Sequence, residues 1–238
     1  MKIMINDQLR DLYQSKWKEL SKAIEKHKDE ATNPLLISLK DETAYVNSKQ
    51  KIMIIGQETN DWECYFNSKK ENFNHLLSEY EKFYWDGRCY RYGGAFWNTI
   101  KNLKEEINKK ENISSNSIQY IWNNILKIGK KGEKRTPSKD IIDITFKYFD
   151  VIKDEIKILQ PNVVIFFTGP DYDQYLRQTF EDLKFEALGN HNKRHISTIK
   201  SQYLPPNKTV RLYHPGYLLR SSKKLTFNWK EIVLSLIE

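Results

Sequence analysis

Asn162-Val-Val-Ile-Phe-Phe167, closed by Thr168-Gly169-Pro170, is the clearest strand in the chain. Its apolar residues run without alternation, as in a strand buried on both faces of a parallel sheet. The same pattern recurs at Lys51-Ile-Met-Ile-Ile-Gly56, at Gln119-Tyr-Ile-Trp-Asn-Asn-Ile-Leu-Lys-Ile128 and at Thr209-Val-Arg-Leu-Tyr213. Helical periodicity fills the intervals. Leu9, Leu12, Trp17, Leu20 and Ile24 fall near one face of residues 5–29, and residues 70–84 and 94–110 also read as helices. Ser138, with Pro137 before it, caps a long helix expected to run to Leu159, and shorter helices follow near 171–180 and from Phe227. Four short strands separated by helices predict an α/β fold: a three-layer α/β/α sandwich around a four-stranded, mainly parallel sheet. Residues 1–48 read as a helical elaboration packed on a core domain of residues 49–238, without internal repeats.

A length of 238 residues suffices to bury one substantial core without staples. The sequence has no apolar run long enough to span a bilayer, and Met1-Lys-Ile-Met-Ile-Asn-Asp-Gln8 is no secretory signal, so a cytoplasmic protein with no membrane partner is expected. Two cysteines, Cys64 and Cys89, argue against a disulfide framework and against a four-thiolate metal site made by this chain alone. The formal net charge of +8 favours an anionic partner, nucleic acid or an acidic membrane surface.

In open parallel sheets ligands bind outside the carboxyl ends of the strands. Those ends carry Gly56-Gln57-Glu58, Asn123 and Asn124, Thr168-Gly169, and His214-Pro215, so a carboxylate, an amide and an imidazole converge on one rim. Successive strand residues face opposite ways, so only one of the two asparagines reaches it. Lys127, Lys130, Lys131, Lys134 and Arg135 form the densest basic cluster and suit phosphates, the bland alternative being a solvated loop. His191-Asn-Lys-Arg-His195 places two histidines four apart, a zinc-ligand spacing on a helix. No third ligand stands at a matching spacing, so no metal is assigned, and the stretch is read as a basic loop facing a nucleic-acid partner. No Gly-rich phosphate-binding string is present.

Gly56-Gln57-Glu58-Thr59-Asn60 and His214-Pro215-Gly216-Tyr217-Leu218-Leu219-Arg220 resemble the two signature motifs of uracil-DNA glycosylases. The second is close to the HP-x-YLLR string of the thermophilic-type branch. Ile125-Leu126-Lys127 with Lys134-Arg135-Thr136-Pro137 is similar to that branch's strand and Arg-x-Pro loop. Gly87-Arg88-Cys89-Tyr90 resembles the segment whose aromatic stacks on the flipped base. The strings follow the family's order across most of the chain.

The resemblance implies a monofunctional DNA N-glycosylase that needs no cofactor and no obligate protein partner. Such an enzyme takes double- or single-stranded DNA, flips a pyrimidine out of the stack and hydrolyses its bond to the sugar, leaving an abasic site. By that resemblance Glu58 holds the attacking water, with Asp61 as the fallback, and His214 donates a hydrogen bond to the pyrimidine O2 as negative charge develops. Gln57 and one of the two asparagines, Asn124 in preference to Asn123, contact the base, and Tyr90, with Tyr92 as its rival, stacks on it. Leu218 or Leu219 wedges into the gap and Arg220 holds a phosphate.

The chain also departs from the family. The four cysteines of the thermophilic branch are missing, so its iron–sulfur cluster should be absent. Asn60 stands where the Gly-Gln-Asp-Pro-Tyr branch places the tyrosine that blocks the pyrimidine C5 edge. By the resemblance uracil is the default substrate, and C5-modified pyrimidines compete with it. They include the bulky modified cytosines of some phage genomes, whose excision would be defence rather than repair. From other classes, a catalytically inactive DNA-binding relative and a basic protein that meets an acidic partner remain open.

Overall fold

The computed structural model describes residues 4–67, 69–110, 117–132, 136–220 and 228–237. Six strands form one sheet: β1 (Gln50–Glu58), β2 (Ile118–Leu126), β3 (Val163–Phe166), β4 (Lys184–Ala187), β5 (Ile196–Lys200) and β6 (Thr209–Leu212). Their spatial order is β2-β1-β3-β6-β5-β4. The four expected strands, β2, β1, β3 and β6, run parallel. β5 pairs antiparallel with β6 and β4 antiparallel with β5, so a hairpin extends the sheet to six strands where four were expected. β4 escaped the sequence pattern because Lys184-Phe-Glu-Ala187 lies at the sheet edge and is nowhere fully buried, so no apolar run marks it.

Helices flank this sheet: α1 (Ile5–Ile24), α2 (Glu42–Asn47), α3 (Lys70–Tyr80), α4 (Arg88–Tyr92), α5 (Gly94–Lys110), α6 (Lys139–Tyr148), α7 (Ile152–Leu159), α8 (Asp173–Thr179), α9 (Pro215–Arg220) and α10 (Trp229–Ser235). α1 packs against α6 and α7. The single long helix expected from Ser138 to Leu159 is instead these two, broken at Phe149, which is fully buried and stacks on Tyr13. Ser138 does occupy the cap position, but its side chain makes no capping bond. α4, α5 and α9 form another packed group. Among the described residues no helix is long and apolar enough to cross a membrane.

The amino-terminal segment shares the main core. Leu9, Tyr13, Leu20 and Ile24 of α1 are buried in one cluster with the sheet, each apolar side chain contributing about 1.5–3 kcal/mol. α1 ends at Ile24 and tightens into a 3₁₀ turn (Glu25–His27), short of the expected residue 29. Its first backbone amides, Ile5 and Asn6, donate to the carboxylate of Glu42, which supplies the missing cap from a distance. A buried strap, residues 31–39, then runs along the carboxyl end of β2, with Thr32 N–H donating to Gly129 O and Leu35 N–H to Lys127 O.

Candidate active site

Parallel pairing sets the site. β1 and β2 are in register with Gly56 beside Asn124, and β1 leads outward to Gln57 and Glu58. The strand order reverses between β1, whose outer neighbour is β2, and β3, which is where a ligand crevice belongs. Gln57 Nε2 spans that switch point by donating to Thr168 O at 2.7 Å. A cavity of about 520 Å³ opens there, and Gly56, Gln57, Glu58, Asn124 and His214 all line it. The remaining wall comes from Thr59–Glu63 after β1, from Phe83, Arg88 and Tyr92–Trp97, and from Trp122.

Gly56 is there because nothing larger fits. A Cβ on it would lie 2.5 Å from Asn124 Oδ1 and 3.0 Å from Phe96 Cζ, so the bare backbone lets the amide and the ring converge. Asn124 is buried, and its Oδ1 accepts from Trp122 Nε1 at 3.3 Å. His214 stacks parallel to Phe96 with ring centroids 6.0 Å apart. Its Nδ1 accepts the Gly216 backbone N–H at 3.1 Å, which leaves the ring proton on Nε2 and makes that nitrogen a donor. Burial, and then the charge of Arg220, hold the His214 pKa below the usual imidazole value, so the ring is neutral at pH 7. Burial pushes the Glu58 carboxyl up, against the opposing effect of a hydrogen bond donated by Tyr172 to Oε2. The Tyr172 hydroxyl oxygen in turn lies 2.9 Å from Thr136 Oγ1, which donates to it because the tyrosine proton is already spent on Glu58.

Several expected contacts are corrected. Asn123 faces away from the cavity: its Nδ2 donates to Glu155 Oε2 at 2.8 Å and its Oδ1 accepts from Lys127. Lys127 cannot meet a phosphate, because it is buried and ion-paired to the buried Glu155 at 2.7 Å. Tyr90 lies outside the cavity lining, with its hydroxyl accepting from Lys104 at 2.9 Å and its ring against Trp97. Its rival Tyr92 lines the cavity and is exposed. Leu218 is core at 2% exposure, whereas Leu219 is 58% exposed, so only the second is free to enter a DNA stack. Asp61 lines the cavity but turns its carboxylate to the Gly132 N–H and to Lys131, serving the basic loop.

Arg220 is exposed at the end of α9. Lys130 and Lys131 are half-buried, while Lys134 and Arg135 lie outside the described residues. The His191–His195 stretch is the connection between β4 and β5, not a helix, and buried Arg211 holds it by donating to Lys193 O and Arg194 O. Among the described residues no three His, Cys, Asp or Glu side chains gather as metal ligands would.

Sequence reading missed two groups. Phe96 stands in the first turn of α5, after Gly93 and Gly94, both in the left-handed region. That glycine pair ahead of an aromatic was the available signal. Tyr172 follows the Thr168-Gly169-Pro170 turn closing β3 and carried no pattern of its own. The family model described as the uracil DNA glycosylase superfamily matches residues 43–237 of the chain. No curated protein matches it.

Proposed function

Because the chain belongs to the uracil DNA glycosylase superfamily, we propose that it flips a pyrimidine out of DNA into the cavity at the ends of β1 and β2 and hydrolyses the N-glycosidic bond. The observation that carries this reading is the convergence of Glu58, Asn124 and His214, whose Nδ1 accepts the Gly216 N–H, on one cavity. In the reaction, water adds its oxygen to C1′ while the C1′–N1 electron pair leaves with the base. Glu58 takes the proton from that water, and its raised pKa suits a base working near neutral pH. His214 Nε2–H stabilises the negative charge growing on the pyrimidine, a neutral donor being sufficient for an anion of this kind. Asn124 reads the base edge with donor and acceptor together, and Gln57 shapes the same rim. Tyr92 or Phe96 stacks on the extruded ring, Leu219 fills its place in the duplex, and Arg220 with Lys130 and Lys131 meets phosphates.

The cavity also bears on the substrate. A volume of about 520 Å³ is that of pockets taking drug-sized ligands, larger than a bare pyrimidine requires. The volume leaves room for a C5-substituted pyrimidine, including a bulky modified cytosine, as well as for uracil, and excising a foreign base of that kind would be a defence reaction. The test is excision from duplexes holding one uracil, one thymine mismatch, one hydroxymethylcytosine or one glucosylated hydroxymethylcytosine, with alkaline cleavage of abasic sites. Release of the substituted cytosine is expected. Cutting at uracil alone would make this a repair enzyme, and tight DNA binding without product from any duplex would leave an inactive relative.

A further inference from the structure

The wall that follows β1 is held in a conformation it would not adopt alone. Asp61, Glu63 and Cys64 have φ of 51°, 50° and 62°, three non-glycine residues in the left-handed region within four positions. In that region the Cβ crowds a carbonyl oxygen, so residues other than glycine adopt it rarely. The same stretch carries Trp62, whose ring packs edge-on against Phe83 and Trp122 and whose buried Nε1 has no partner among the described residues. Strain of this kind persists only where surrounding structure over-determines it, and it concentrates at ligand sites.

The over-determination comes from Asn33 on the strap. Asn33 is buried and its side chain makes four hydrogen bonds to the wall and its exit. Nδ2 donates to Glu63 O at 2.6 Å and Tyr65 O at 3.1 Å, and Oδ1 accepts from Asn67 N–H at 3.0 Å and Asn72 Nδ2 at 2.8 Å. Backbone bridges continue the clamp: Thr32 pairs with Tyr65, and Phe66 N–H donates to Ala31 O at 2.8 Å. The strap lies ahead of residue 43, where the family match begins.

We propose that Asn33 is a specificity-determining positioning residue: by clamping the strained Asn60–Glu63 wall it sets which bases the cavity admits. Its substrate readout rests on the glycosylase reading above, and its mechanical readout does not. The experiment compares the full chain with its Asn33→Ala variant in two ways. Hydrogen exchange reports on residues 59–67. Excision rates, and equilibrium binding of the same duplexes made unreactive by 2′-fluorination, are measured for uracil and for hydroxymethylcytosine. The expected result is faster exchange in residues 59–67 with β1 and β3 still protected. The preference between the two bases should shift by about tenfold, the scale of a small misfit in a pocket. Adding Cys64→Gly, which eases one left-handed residue outside the cavity, should restore part of both. Faster exchange with an unchanged preference would make Asn33 a structural anchor only, and unchanged exchange would place the clamp elsewhere; either overturns the proposal. A wild-type chain that excises neither base would sink the glycosylase reading, leaving exchange and the binding preference to decide this one. If Asn33→Ala does not fold, Asn33→Asp, which keeps both acceptor bonds and removes both donor bonds, is judged by the same outcomes.

Discussion

Glu155 and Glu58 are both carboxylates withdrawn from water, and they are treated in opposite ways. Glu155 is fully buried and meets three partners: Lys127 Nζ at 2.7 Å, Tyr13 OH at 2.6 Å and Asn123 Nδ2 at 2.8 Å. The cluster joins α1, β2 and α7, and Asn123 Oδ1 also accepts the Asn124 backbone N–H at 2.8 Å. Glu58 lines the cavity, and among the described residues only Tyr172 bonds its side chain. A charge whose lone pairs are matched inside the protein is architecture, since nothing is left for it to do. A charge desolvated but under-partnered keeps its capacity to take a proton. Asn123 and Asn124, adjacent on β2, divide the same way, one facing each carboxylate's side of the sheet.

The sharpest way to break the contrast is to unpair the first carboxylate. Lys127→Met leaves Glu155 buried without its cation and should cost about 3–5 kcal/mol in urea unfolding. Adding Glu155→Gln should recover much of the loss, because the stranded charge then disappears. A loss under about 1 kcal/mol, the scale of an exposed ion pair, would show that the cluster is not an anchor.

Glu58→Gln should act in the reverse sense. Excision is expected to fall by about 10²–10⁴-fold, the range for removing a general base. Stability at pH 7 should rise. The folded pKa of Glu58 lies above its unfolded value, so folding disfavours the ionised form; the penalty is full above the folded pKa and is gone below the unfolded one. The gain in Tm over wild type should therefore shrink as pH falls through that value. A variant less stable than wild type at pH 7 would mean the carboxylate is held as firmly as Glu155.

Much of this division was legible in the sequence, and its limits have physical causes. The four parallel strands announce themselves as apolar runs, so the rim carrying Glu58, Asn124 and His214 follows from topology alone. Alternation along a strand says that Asn123 and Asn124 part company, but which of them faces the cavity depends on the register with β1. Lys127 belongs by sequence to a basic cluster, and only the fold shows Glu155 waiting for it from α7. The strap residues 31–39 carry no period of either kind, because they are buried without being helix or strand. Their role is visible only through long-range partners.

A smaller effect separates two neighbours on α9. Leu218→Ala should cost about 2–5 kcal/mol of stability, as for other core leucines, and alter excision only through folding. Leu219→Ala should leave stability within about 0.5 kcal/mol and lower excision from duplex more than from single-stranded DNA, where no stacked gap needs filling. Equal losses on both substrates would remove Leu219 from the DNA interface.

The smallest change probes the one bond that the Glu58 side chain has among the described residues. Tyr172 donates to Glu58 Oε2, and that donation favours the ionised carboxylate against the burial that disfavours it. In the proposed mechanism Glu58 must be ionised to accept a proton from water, so excision should be lost as pH falls through its folded pKa. Tyr172→Phe removes the donor, leaves desolvation unopposed and raises that pKa further, so the acidic limb of the kcat/KM profile should move to higher pH. Well above the limb the two proteins should nearly coincide, since the carboxylate is then ionised in both. A loss equal at every pH would mean that Tyr172 only aims the carboxylate. An unmoved limb with undiminished rate would mean that Glu58 is held, like Glu155, by more than this bond. The pH profile thus weighs how far the cavity carboxylate has been left free by the same burial that fixes the structural one.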